Sequence, residues 1–304
     1  MSENQLLLAP GTLWERLKQQ TEYALECGAL QPIPTEYEFV EQDNIRFLVR
    51  ILSNLSRKDE AKKQQEKKKV VTGKNFNPFK PYEEDLFVAD ISQTHLCLLN
   101  KYNVVDYHLL IVTREFEEQE NLLNLSDFQA LGSCMGEFEG LAFYNSGKTA
   151  GASQRHKHLQ MVPLPLVSDE EKVPIDKAIA TAKFNNGIGV TSYFPFRHAI
   201  AKLDPGWVNS PFESAAKILE FYFCLLKAVG IEGSDGMSGK QSSDYNLLVT
   251  REWMFVVPRS YPDFQSISVN SLGFSGALLV KNQEQMKILK EQKPLTILRH
   301  VAPL

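Results

Sequence analysis

Two imidazoles and a carboxamide stand on alternate residues of one short run, His156-Lys157-His158-Leu159-Gln160. Side chains of an extended strand alternate between faces, so His156, His158 and Gln160 would share one face and Lys157 and Leu159 the other. Gly151-Ala152-Ser153-Gln154-Arg155 leads into the run, and Met161-Val162-Pro163-Leu164-Pro165 follows it. A loop of small residues has backbone N–H groups to spare. That combination suits a phosphate. A histidine nitrogen can attack phosphorus and carry the group covalently, while amides and the Gln160 side chain take up charge on the phosphoryl oxygens. Two plainer uses of these residues compete. One is a pair of hydrogen-bonded sheet histidines; the other is a His-x-His metal site drawing a third ligand from His95, His108 or His198. No acidic or cysteine cluster adjoins the pair, so no metal bound by the protein is expected there.

The elements that must position these groups are legible in outline. Leu13, Leu17, Ala24 and Leu25 recur at helical spacing, giving a helix from Thr12 to Cys27 stopped by Gly28. Glu38-Phe39-Val40 and Ile45-Arg46-Phe47-Leu48-Val49 read as a hairpin about Gln42-Asp43-Asn44. The charged segment from Arg57 to Lys69 reads as a solvated loop or frayed helix, or as a source of a lysine (Lys58 or Lys74) that closes over a polyphosphate. Phe76-Asn77-Pro78-Phe79-Lys80-Pro81 is a turn-rich bridge. The apolar runs Thr94–Asn100 and Tyr107–Thr113 suggest an antiparallel strand pair. A helix is expected from a capping box at Ser126 to about Tyr144. The histidine strand follows. Beyond Pro174 the pattern predicts a helix through Phe184, a strand from Tyr193 to Ala201 and a helix from Ser210 to about Val229. Gly187-Ile188-Gly189-Val190 lacks the third glycine and the strand–helix context of a dinucleotide fingerprint. Gly230 to Ser243 is loop, and Asp244–Val249 and Met254–Val257 are strands about a turn at Arg251-Glu252. A strand-like segment over Gly273–Lys281 and a terminal helix from Gln283 to Leu298 complete the chain, with no internal repeat. Antiparallel hairpins interspersed with helices give an α+β class.

Composition narrows the function. A chain of 304 residues, 43% hydrophobic and 23% charged, can bury one large core or two intimate ones. Its net charge of −4 argues against broad nucleic-acid binding. No stretch approaches the length of a membrane span, and the start carries no signal-peptide pattern. Cys27, Cys97, Cys134 and Cys224 stand singly, without a Cys-x-x-Cys pair, and read as small buried apolar residues of a reducing compartment. A cytoplasmic protein is expected.

Beyond these readings the motifs carry a resemblance. His-Lys-His-Leu-Gln preceded by Gly-Ala-Ser-Gln resembles the active-site strand of histidine-triad-like nucleotidylyltransferases, most of all the ATP adenylyltransferase family, also called diadenosine tetraphosphate phosphorylase. His95 to Val105, His108 and Val112-Thr113-Arg114-Glu115-Phe116 resemble that family's core hairpin, and Phe143-Tyr144-Asn145-Ser146-Gly147 its approach to the site. Tyr245 to Arg259 and Asn270 to Lys281 resemble its C-terminal strands, so the likeness runs from about Phe47 to Lys281. Triad hydrolases carry a third histidine where Gln160 stands. A glutamine offers only a neutral hydrogen bond, which suits transfer to an added acceptor. Galactose-1-phosphate uridylyltransferases share His-x-His-x-Gln but place proline where Lys157 stands, and often carry zinc-binding cysteines.

The resemblance implies a histidine-triad-like antiparallel sheet with flanking helices. It implies a single domain over 1–304, with the active-site strand in a part reaching about 165 and the fold completed from about 190. It implies phosphorolysis of diadenosine tetraphosphate: His158 takes AMP from the substrate, ATP leaves, and orthophosphate (or sulfate) collects the AMP. His156 is expected to orient the phosphate and help the leaving group, and Gln160 to hydrogen-bond a phosphate oxygen. Gly151, Ala152, Ser153 and Gln154 would cradle phosphates with their N–H groups. Lys58, Asn100, Lys101, Asn145, Asn270, Ser271, Leu272, Ala277 and Lys281 match ligand-contacting positions. A divalent cation, Mg²⁺, is expected on the substrate phosphates rather than in a carboxylate cage. The partners implied are small molecules (diadenosine polyphosphates, ATP, ADP and phosphate) bound by a monomer, with neither nucleic acid nor membrane. A dinucleoside polyphosphate hydrolase, or a non-catalytic nucleotide sensor of the same fold, is the alternative.

Overall fold

The computed structural model describes residues 6–53, 76–168 and 170–304. In chain order the elements are α1 (Leu13–Glu26), β1 (Thr35–Gln42), β2 (Ile45–Leu52), β3 (Phe87–Asp90), β4 (His95–Leu99), β5 (Leu109–Thr113), α2 (Leu125–Glu137), β6 (Gly140–Ser146) and β7 (His158–Pro163). There follow α3 (Asp176–Ala180), β8 (Lys183–Asn185), β9 (Ile188–Val190), β10 (Ala199–Lys202), α4 (Pro211–Ala228), β11 (Tyr245–Val249) and β12 (Trp253–Pro258). Then come β13 (Asp263–Phe264), β14 (Ile267–Ser268), α5 (Ser271–Phe274), β15 (Ala277–Val280), α6 (Gln283–Gln292) and α7 (Pro294–Val301). Lys58, Lys74 and the charged segment that contains Lys58 lie outside the described residues. No helix of the described residues is long and apolar enough to cross a membrane.

Ten strands form one sheet in the order β3-β4-β5-β7-β6-β11-β12-β10-β9-β8, and every pairing in it is antiparallel. The α+β architecture expected from the hairpins is the one observed. Alternation along the central strands divides the core in two. Leu159 and Met161 of β7 pack with residues of α1, α2 and α4. The opposite face of the sheet, through Leu141, Phe143, Val162 and Leu248, packs under β2, β15, α6 and α7. Three strands, β1-β2-β15, make this second layer, with β2 and β15 parallel. His158 and Gln160 open onto this second side.

The α2 helix ends at Glu137, and Phe138 turns extended with φ −153° and ψ 161°. The helix expected to reach Tyr144 therefore gives way to β6, every residue of which is buried. An apolar run buried on both faces has the same composition in a helix as in a central strand, which is why its period misled. The cap is Asn124, not Ser126: its side chain accepts from Asp127 N–H, and Asp127 in turn accepts from Asn124 N–H. The helix expected through Phe184 is the single turn α3. Asn186 and Gly187, at φ 50° and 83°, then form the β8–β9 hairpin turn that an Asn-Gly pair favours. The strand expected from Tyr193 is only Ala199–Lys202. Pro294 breaks the terminal helix in two, with Lys293 at φ 71°; proline lacks the N–H to continue the ladder and bars its predecessor from helical geometry. Of the cysteines, Cys97 and Cys134 are buried as expected, while Cys27 and Cys224 are exposed; all four are free.

Behind the histidine strand lies a buried ionic cluster. Lys157, facing away from His156 and His158, is 0% exposed. Its ammonium meets Asp127 Oδ2 at 2.5 Å and Glu117 Oε2 at 3.0 Å, and donates to the Leu122 carbonyl. Asp127 Oδ1 bonds His95 Nε2 at 3.0 Å. Burial would lower the lysine, but the Asp127 and Glu117 carboxylates hold it above its ordinary range. Burial would likewise raise Asp127, but Lys157 and His95 bring it down to about 2. Asp127 also caps α2, so this cluster ties the helix to the strand. Removing one partner strands a buried charge, so Lys157→Met or Asp127→Asn is expected to cost about 3–5 kcal/mol of unfolding free energy in urea titrations. A loss under about 1 kcal/mol would show the cluster to be dispensable. The folded Asp127 value lies below the ordinary carboxylate value of about 3.9. Its contribution is therefore full above roughly pH 4 and lost as pH falls through about 2.

Candidate active site

β7 is gripped on both sides at His158. Val112 of β5 pairs with His158 on one side. On the other, the β6–β7 ladder stops at the Phe143–Gln160 pair, and the side chain of Gln119 enters the gap. Its Oε1 accepts from His158 N–H at 2.9 Å, and its Nε2 donates to the carbonyls of His158 and Asn145 at 3.2 and 2.9 Å. Gln119, 2% exposed, thus continues the ladder with a side chain. The sequence reading passed over it, since nothing distinguishes it from other glutamines in a polar loop.

His158 donates from Nδ1 to the His156 carbonyl at 2.8 Å. A neutral imidazole has one donor and one acceptor, so this bond leaves the lone pair on Nε2. Burial pushes the ring's pKa down to about 4, keeping it neutral. The Phe79 ring lies 5.2 Å from it.

His156 departs from its expected role. Its Nε2–H donates to the Thr113 carbonyl at 2.8 Å, and its Nδ1 accepts from Asn77 Nδ2 at 2.9 Å. Asn77 cannot turn over, because its Oδ1 accepts from Phe79 N–H at 3.0 Å. With both nitrogens held by protein, His156 fixes His158 through its carbonyl instead of reaching for phosphate. Asn77 comes from the turn-rich bridge, which folds over the histidine pair. Of the other candidate metal ligands, His95 sits in the cluster on the far face. His198 is held among Phe194, Phe196 and Phe255, donating to the Phe196 carbonyl and accepting from Thr191 N–H. His108 does reach the site, where it bonds Gln160 and Asn100.

Asn145 stands beside this strand on the same face. Its Oδ1 accepts from Asn246 Nδ2 at 2.9 Å, Ser271 N–H at 2.9 Å and Ser271 Oγ–H at 2.8 Å. Asn246 is itself oriented by Arg259, whose Nη1 donates to Asn246 Oδ1 at 2.6 Å. The remaining Arg259 donors go to the carbonyls of Val269, Tyr261 and Val301. Burial lowers Arg259 to about 9. This one-way chain consumes the oxygen of Asn145 and leaves its NH₂ as the group available to a ligand.

Other expected contacts are redistributed. Gly151 N–H and Ala152 N–H bond the carbonyls of Lys148 and Gly147 at 3.1 and 3.0 Å. They close a turn rather than cradle a phosphate; Gly151 adopts φ 95°, and a Cβ there would meet Asn270 Cβ at 2.8 Å. Among the described residues Ser153 and Gln154 N–H make no hydrogen bond, so these two are the loop amides left over. The Asn100 amide is committed to His108, and the Lys101 ammonium to Glu83 at 2.6 Å. Ser271 is 0% exposed and buttresses Asn145 instead of lining a pocket. Asn270, Leu272 and Ala277 do line a cleft, together with Leu48, Arg50 and Val105. Lys281 is exposed.

Comparison with known proteins assigns this arrangement. Residues 3–181 match the model of the Ap4A phosphorylase N-terminal domain, and residues 192–303 that of the ATP adenylyltransferase C-terminal domain. The chain belongs to the Ap4A phosphorylase family. It is a nucleotidyltransferase by that membership, as its motifs suggested. Diadenosine tetraphosphate phosphorylase 2 of Saccharomyces cerevisiae is 28% identical over 84% of this chain and 82% of its own. The Saccharomyces cerevisiae protein APA1 is 28% identical over 71% and 72% respectively. The crystal structure of yeast Ap4A phosphorylase Apa2 shares the fold with a TM-score of 0.77, at 22% identity, covering 97% of this chain and 98% of that one.

The neutrality of His158 predicts a pH profile. Protonation of Nε2 removes the lone pair, so the acid limb of kcat/KM from this residue is expected near pH 4 instead of near the ordinary imidazole value of about 6.5. A limb near 6.5 that disappears with a substrate analogue of invariant charge would belong to the substrate. One that persists would contradict a buried neutral His158.

Proposed function

We propose that the protein cleaves diadenosine tetraphosphate by phosphorolysis through a covalent adenylyl-His158. The observation that carries this reading is the His158 Nδ1–H bond to the His156 carbonyl, which leaves the lone pair of a neutral ring on Nε2. Nε2 attacks the α-phosphorus, the P–O bond to the β-phosphate breaks, and ATP departs with that bond's electrons. Orthophosphate then attacks the same phosphorus, the P–N bond breaks, and ADP forms while Nε2 recovers its lone pair. Two in-line displacements predict ping-pong kinetics and overall retention at phosphorus. The NH₂ groups of Gln160 and Asn145, with the Ser153 and Gln154 amides, stabilise charge on the transferring group. The names of the yeast relatives support this substrate.

The cleft at Asn270, Leu272 and Ala277 adjoins the Gly151 turn and is proposed to hold a nucleoside. Mg²⁺ is proposed to travel on the polyphosphate. The described residues bring together no group of three or more His, Cys, Asp or Glu that could hold a metal ion, and Glu115, Glu117 and Glu118 are each paired with a cation. A monomer is proposed as the catalytic unit.

Incubation with diadenosine tetraphosphate tests the reading. ATP and ADP are expected only when phosphate is supplied, and adenylyl sulfate when sulfate replaces it. ATP and AMP without phosphate dependence would mark a hydrolase, and no turnover a sensor. His158→Ala is expected to lower the rate by at least about a thousandfold while the protein remains folded by circular dichroism. With phosphate omitted, mass spectrometry of the quenched enzyme is expected to find AMP on His158; AMP on another residue would overturn the assignment.

A further inference from the structure

Asn100, His108 and Gln160 form a chain of hydrogen bonds whose direction decides which end of the Gln160 carboxamide faces the phosphate. His108 Nε2–H donates to Gln160 Oε1 at 3.0 Å, and His108 Nδ1 accepts from Asn100 Nδ2 at 3.1 Å. His108 is 6% exposed, with its ring 5.7 Å from that of Phe143. Burial takes it down to about 4, so the imidazole is neutral. A neutral imidazole donates from one nitrogen and accepts at the other. The two neighbours are therefore coupled through it. With the proton on Nε2, Gln160 must offer its oxygen inward and its NH₂ outward. With the proton on Nδ1, Gln160 would turn its NH₂ inward and set its oxygen against phosphoryl oxygens. Asn100 lies against the other ring nitrogen, and its backbone N–H bonds the His108 carbonyl at 3.0 Å.

We propose that His108 is a positioning residue, which in its Nε2–H form holds the Gln160 NH₂ toward the transferring phosphoryl group. This rests on the reading of Gln160 as a phosphate ligand.

A double-mutant cycle isolates the claim. Gln160→Ala is expected to lower kcat about a hundredfold, the scale of a lost oxyanion donor. His108→Phe keeps a ring but no nitrogen, and is expected to lower kcat about tenfold or more with KM little changed. In the Gln160→Ala background His108→Phe is expected to cost less than about twofold, because its route of action is gone. A His108→Phe loss that persists in full in that background would overturn the inference while leaving the covalent mechanism standing. Wild-type turnover by Gln160→Ala would overturn the phosphate role of Gln160 and the inference with it. Adenylylation of His158 in the trapping experiment tests the mechanism separately. A second readout does not depend on activity. Long-range proton–nitrogen correlation of the folded protein is expected to show His108 protonated at Nε2, and at Nδ1 in Asn100→Asp, whose carboxylate only accepts. A wild-type His108 protonated at Nδ1 would overturn the proposal.

Discussion

One hydrogen bond, from the Nδ1–H of His158 to the carbonyl two residues earlier, sets the chemistry this chain can perform. It leaves the lone pair of the imidazole on Nε2 without a separate base. Much of the surrounding structure serves to keep that carbonyl and that ring in register. Thr113 and Asn77 hold the His156 ring, the Glu117 carbonyl takes Lys157 N–H, and Gln119 takes both backbone groups of His158. A slip of one residue along β7 would bring Lys157 to the site and bury His158 among the helices. The ionic cluster behind the strand opposes that slip, because Lys157 finds two carboxylates only on its own side.

A second constraint is polarity. The site has to meet an anion, yet carboxamides carry an oxygen as readily as an NH₂. The fold removes the ambiguity by occupying the oxygens. Asn145 surrenders its oxygen to Asn246 and Ser271, in a chain anchored by the buried Arg259. Gln160 surrenders its oxygen to His108. Such preorganised dipoles need no reorientation as charge develops, which is where electrostatic catalysis draws its advantage.

The alternation of His156, His158 and Gln160 is a property of any strand, so the face that they share was legible from residue order alone. So were the β4–β5 hairpin and α4, whose patterns are long and end in clear signals. What escaped was set by partners distant in sequence. Gln119 is an unremarkable loop glutamine until the chain brings it between β6 and β7. Asn246 acquires meaning only through its contact with Asn145, 101 residues away, and Arg259 only through Asn246; Ser271, matched to a ligand-contacting position, instead holds Asn145 from 126 residues away. His156 matched the phosphate-handling pattern, but Asn77 and Thr113 claim its nitrogens. Gly151 and Ala152 spend their amides on a turn, a use that small residues serve equally well. The β6 error had a different source, since a run buried on both faces carries no period to read.

The β6–β11 pairing joins the segments matched by the two domain models, Asn145 lying opposite Asn246 at that seam. His158 comes from the first segment, while the groups that orient Asn145 come from the second. Neither segment closes the site alone. Inheritance must therefore treat them as one unit: recombination that exchanged one half for a homologue's would have to preserve a shared hydrogen-bond polarity as well as a shared surface.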